Sequence, residues 1–132
     1  MNKKLETLEE ARIYLENARE ILREKAKRTN GYYSKSKYVK MAGNTAWNGV
    51  LVALDVYMQA KNMHKKGRKN VDDYRDLIAR ENLKMLKVFN SAYNYLHLLM
   101  GYDGDLNVKT AKTGLELAEE IIDWVEKKIE KK

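Results

Sequence analysis

Apolar residues recur along this chain at helical spacing in four long stretches. In the first, Leu8, Ala11, Leu15, Ala18, Leu22 and Ala26 fall on one narrow face at about 100° per residue, widened by Tyr14 and Ile21. Thr7 and Glu10 have the form of a capping box in front of it. The pattern predicts a helix to about residue 28, stopped by Asn30-Gly31, where left-handed backbone is accessible.

The second stretch, 34–63, is apolar over most of its circumference. Val39, Ala42, Ala46, Val50, Ala53 and Tyr57 form one face, and Trp47, Leu51, Leu54 and Met58 another. A helix patterned this way is mostly buried. Its polar strip, which includes Asn44, Asn48 and Asp55, reads as solvated. Gly43 and Gly49 each cost roughly 1 kcal/mol against alanine inside a helix, and close approach of a neighbouring helix is the compensation they predict.

Residues 65–70 read as a loop, with Asn70 capping the next helix. That helix spans 71–100 and is predicted to bend near residues 80–82, where the apolar rhythm slips. A turn at 101–105 precedes the last helix, 107–129, which buries Ala111, Leu115, Ala118, Ile121, Ile122, Val125 and Ile129. The expected fold is all-α: one domain over residues 1–132, an antiparallel up-down bundle of four long helices, or five if the third is broken. Short connections make successive helices antiparallel.

Composition supports this and removes much chemistry. The 132 residues include no proline and no cysteine, so nothing kinks the helices and thiol catalysis, disulfides and cysteine-ligated metals are excluded. The charged start MNKKLETLEEAR does not read as a signal peptide, and no uncharged run reaches the roughly 18 residues of a membrane span. The expectation is a soluble cytoplasmic protein without membrane contact.

His64 and His97 are the two histidines, and neither has an acid three residues before it, as helical metal sites require. No phosphate-binding loop, nucleophile elbow or zinc motif is present. These patterns predict no metal and no cofactor, supply no catalytic motif, and lean against an enzyme while leaving one open. His97 shares a helix flank with Asn90 and Tyr93, and reads as a boundary residue bonded to a neighbour. A small-molecule pocket at Asn90, Tyr93 and His97 is the alternative.

The net charge of +7 turns attention to the surface. In an up-down bundle the 61–70 loop shares a pole with both termini, gathering Lys61, Lys65, Lys66, Arg68 and Lys69. Lysines there complement helix C-termini, which is the preferred reading, and contact with RNA or DNA phosphates is the alternative. The opposite pole interleaves Arg28, Tyr32, Tyr33, Lys35, Lys37, Tyr38 and Lys40, with Asp103 and Asp105 expected to neutralise part of it. Leu117 and Trp124, seven apart on the last helix, lie off its core face. Tryptophan is a favoured interface anchor, so these two are the candidate contact of a homodimer.

The alanine-rich second helix (38–60), the stretch AYNYLHLLMGYDG (92–104) and a final helix ending Ile-Ile-Asp-Trp-Val-Glu resemble the HEPN-like helical bundles of bacteria. That resemblance implies a dimer and, in many members, ribonuclease or toxin activity through an Arg-x-x-x-x-His motif. The motif is absent here, since Ala92 stands five residues before His97. The resemblance therefore implies a non-catalytic member that keeps the bundle, and it transfers no catalytic residue.

Overall fold

The computed structural model describes residues 7–63 and 69–130. Among the described residues there are five α-helices, as the broken-third-helix alternative expects. Helix α1, Leu8–Glu24, is capped by the Thr7 side chain, which accepts from the Glu10 N–H at 3.1 Å. It buries Ala11, Leu15, Ala18 and Leu22, as its periodicity predicts.

The helix ends four residues earlier than its apolar pattern suggests. Lys27 takes a left-handed φ of 58°, and the chain turns into a small hairpin, β1 Arg28–Thr29 and β2 Tyr32–Tyr33. Asn30 and Gly31, at φ 50° and 82°, form its two-residue turn. Asn-Gly is the favoured pair for such a turn because both central residues need positive φ. The same dipeptide therefore marks a hairpin here and not a helix stop. The other edge of β2 meets the chain before the last helix: the Tyr33 N–H donates to Leu106 O at 2.8 Å, and Tyr32 pairs with Asn107.

Helix α2, Ser36–Ala60, is slightly shorter than predicted and is the most buried element. A Cβ at Gly43 would stand 2.6 Å from Leu96 O and 2.8 Å from Gly101 N, so the close approach predicted for this glycine is real. Asp55 departs from its solvated reading: it accepts from the Tyr74 hydroxyl at 2.9 Å and pairs with Lys69.

Helix α3, Val71–Glu81, opens on a complete capping box between Asn70 and Asp73. Asn82 then goes extended, at φ −168° and ψ 109°, and begins α4, Leu83–Ala92. Its N–H closes α3 on Ile78 O at 2.8 Å while its side chain accepts from the Met85 N–H at 3.1 Å. One asparagine thus ends one helix and starts the next. Asn82→Ala should cost about 1 kcal/mol, the usual value of an N-cap, read as a lower urea midpoint at unchanged slope.

From Tyr93 to Tyr102 the chain continues as a π-helix, so the predicted 101–105 turn begins only after Tyr102. Helix α5, Val108–Glu130, is antiparallel to α1, for Arg12 meets Asp123 and Glu126 while Arg19 meets Glu119. A single apolar core runs through all the helices. Among the described residues, no helix is long and apolar enough to cross a membrane.

Candidate functional site

Arg12, Arg19 and Arg23 are seven and four residues apart and lie along one flank of α1. Across from them on α5 stand Glu126, Asp123 and Glu119, in the reverse order an antiparallel pair requires. Arg12 Nη2 lies 2.8 Å from Asp123 Oδ1 and 2.6 Å from Glu126 Oε1. Its pKa is raised above the ordinary value, chiefly by the hydrogen bond to Asp123 and against the opposing effect of burial. Arg19 Nη2 donates to Glu119 Oε1 at 2.6 Å, with Glu16 at 3.7 Å from Nη1. Each of these partly exposed pairs contributes about 1 kcal/mol or less.

One turn further along α1 the complementarity stops. Arg23, Arg28 of the hairpin and Lys112 of α5 line a groove of about 590 Å³. Arg19, Leu22, Tyr33, Val108 and Leu115 complete the lining. Among the described residues, no carboxylate forms an ion pair with Arg23, Arg28 or Lys112. Burial raises the Tyr33 phenol pKa, and the positive charge of Arg28 acts against it.

Asp105, expected to neutralise this pole, is engaged at the start of α5. It accepts from the Asn107 N–H at 2.9 Å and from the Thr110 hydroxyl at 3.1 Å. What the groove offers chemically is a set of charge-assisted donors above an apolar floor. That is a binding arrangement for anionic oxygens attached to apolar groups.

Arg28 and Tyr33 of the basic pole read from sequence line this groove, and the other candidate site residues lie elsewhere. Lys61 is exposed, its ammonium 5.8 Å from the Tyr57 ring centre, and Lys69 pairs with Asp55 at 3.3 Å. Lys65, Lys66 and Arg68 lie outside the described residues, as does His64. The hydroxyls of Tyr57 and Tyr74 donate to Glu81 and Asp55, and both phenol pKa values are raised, first by burial.

Asn90, Tyr93 and His97 do come together, as part of a stack. Arg75 Nε donates to Asn90 Oδ1 at 2.8 Å, and its guanidinium lies 5.1 Å from the Tyr93 ring centre. Tyr93 and His97 are 5.2 Å apart, and both lie against Trp47. His97 departs from its expected hydrogen-bonded state: its ring is held by stacking, and its buried Nδ1 has no hydrogen-bond partner among the described residues. Leu117 and Trp124 are half-buried against the core, and the Trp124 ring stands edge-on to Tyr57 at 5.3 Å. Among the described residues, no cluster of three His, Asp or Glu side chains suits a metal ion.

Sequence singled out Arg28 and Tyr33 of the groove and missed its α1 and α5 walls, although half of their signal is there. Arg12, Arg19 and Arg23 share a helical face, and so do Glu119, Asp123 and Glu126. What sequence lacks is the register of α1 against α5, which alone shows where the rungs end.

Comparison with known proteins bears on this architecture directly. A family described as a domain of unknown function, DUF5618, matches residues 6–127. A solved structure of a protein of unknown function from Dyadobacter fermentans is similar, with 46% sequence identity and a TM-score of 0.83, over 92% of this chain and 94% of that one. No curated protein matches. With nearly the whole helical bundle inside the matched residues, the chain belongs to the DUF5618 family.

Proposed function

We propose that the protein is a non-enzymatic interaction module of the cytoplasm that pairs with a second copy of itself. The observation that carries this reading is where its exposed apolar side chains lie. Six large hydrophobic residues among those described are more than a third exposed: Ile13, Tyr32, Met41, Leu83, Tyr102 and Leu106. Four of them, Tyr32, Met41, Tyr102 and Leu106, share the end of the bundle where the hairpin joins the start of α5. Backbone bonds bring the hairpin to Leu106 and Asn107, and Ser36 of α2 donates to Gly104 O at 3.0 Å. Exposed apolar side chains at one end of the bundle are its candidate interaction surface.

The flank of Leu117 and Trp124 is the second surface for pairing, with less to offer because Tyr57 already covers part of the indole. The HEPN-like resemblance supports a dimer independently of either surface. Contact with RNA or DNA at Lys61 and Lys69 rests on sequence charge alone, and Asp55 already compensates Lys69.

Light scattering on the wild type, on Tyr32→Ser/Tyr102→Ser and on Trp124→Ala tests the reading. A wild-type dimer that the tyrosine pair dissociates is the expected result. Dissociation by Trp124→Ala alone would move the contact to the last helix. A wild type that stays monomeric at high concentration would remove self-pairing.

A further inference from the structure

We infer that the groove between α1, the hairpin and the start of α5 binds an acidic, partly apolar polypeptide segment of a partner protein. The inference rests on the reading of the protein as an interaction module and names the chemistry of what it recruits.

The argument starts from the ladder. Along one flank of α1, arginines meet carboxylates at two successive levels, Arg12 with Asp123 and Glu126, then Arg19 with Glu119. Beyond Arg19, Arg23 lines a groove together with Arg28 and with Lys112, two turns down α5 from Glu119. Like charges held close repel, and a folded chain removes that repulsion most simply by binding an anion. The missing partner is of the kind α5 supplies to Arg12 and Arg19, a carboxylate.

Three features favour a polypeptide over a phosphate group. The cations without an ion pair are spread over three elements, Arg23 near the end of α1, Arg28 in the hairpin beyond it and Lys112 on α5. Spaced carboxylates suit that spread better than one compact anion. Backbone donors that would cradle a phosphate at the start of α5 are already used. Val108 N–H donates to Gly31 O at 3.1 Å, Lys109 N–H to Asn107 Oδ1 at 2.9 Å and Thr110 N–H to Asn107 O at 3.1 Å. Finally, Leu22, Val108 and Leu115 give the groove an aliphatic lining that accepts apolar side chains between the carboxylates.

The test uses fluorescence anisotropy with a labelled synthetic peptide of glutamate, leucine and serine, beside a single-stranded RNA oligonucleotide. The proteins are wild type, Arg23→Glu, Lys112→Glu and Lys84→Glu, the last being an exposed position on α4 with the same change in net charge. Wild type should bind the peptide. Arg23→Glu and Lys112→Glu should each weaken it by about tenfold or more, and Lys84→Glu by about twofold or less. The melting temperature of Lys112→Glu should not fall, because the change removes a cation from a cluster in which, among the described residues, no carboxylate forms an ion pair. Binding lost without stability lost separates the groove's role from a folding defect.

No peptide binding by wild type overturns the inference. Equal weakening by Lys84→Glu overturns it too, since net charge alone would then account for binding. RNA binding that the groove variants abolish, with no peptide binding, would replace it with a nucleic-acid site. A wild-type dimer that ignores the peptide defeats the groove alone, and a monomer that binds it defeats self-pairing alone.

Discussion

Phe89→Ala is expected to lose about 3–5 kcal/mol of folding stability. This is the only phenylalanine of the chain, it is 0% exposed, and its ring centre lies 5.3 Å from that of Trp47. Removing it takes away the transfer free energy of the ring and leaves a cavity between α2 and α4 that backbone shifts fill only in part. The aromatic contact with Trp47 adds about 0.5–1.5 kcal/mol beyond the area lost. Domains of ordinary size hold about 5–15 kcal/mol in total, so the variant should remain folded with a much reduced margin. A urea titration reads the loss as a lower midpoint at unchanged slope, and the near-ultraviolet dichroism of Trp47 should weaken with it. A loss below about 1 kcal/mol, the range of an ordinary surface change, would mean that α4 does not seat on α2 as described.

Gly43→Ala should cost about 3 kcal/mol, at the upper end of what overpacking usually does. Helix propensity argues the other way, since alanine is preferred to glycine by about 1 kcal/mol in a helix interior. The geometry decides. A Cβ there would stand 2.5 Å from Met100 Cβ, 2.6 Å from Leu96 O and 2.8 Å from Gly101 N. Two of those atoms are backbone, in the π-helix, so no rotamer change relieves the clash and the two helices must move apart. Thermal denaturation should show the midpoint falling by roughly 2–8 °C for each kcal/mol lost. An unchanged or raised midpoint would show that the α2–π contact is loose and that propensity alone governs the site.

These two positions also show how unevenly the fold can be read from the chain. The burial of Ala11, Leu15, Ala18 and Leu22 on α1, and of the alanine and valine face on α2, follows from spacing alone. So does the break near residues 80–82, where the slip in apolar rhythm coincides with an asparagine suited to capping. Asn30-Gly31 carried two meanings, helix stop and hairpin turn. The choice between them came from Leu106 and Asn107, which pair with β2 from more than seventy residues away. The π-helix has no local signature, and its backbone packs against Gly43.

The candidate sites divide in the same way. Asn90, Tyr93 and His97 were correctly placed on one flank, but the partners that fill that flank, Trp47 and Arg75, come from other helices. Asp55 read as solvated because nothing local shows that Tyr74 and Lys69 reach it. By itself the sequence determined the all-helical class, the core faces, most caps and the absence of cysteine chemistry, because these depend on residues within a few positions of one another. Only the tertiary structure decided that Arg12 and Arg19 meet carboxylates while Arg23 shares a groove with Arg28 and Lys112. Charge pairing across helices depends on their antiparallel register, and that register is set by the packing of the whole core.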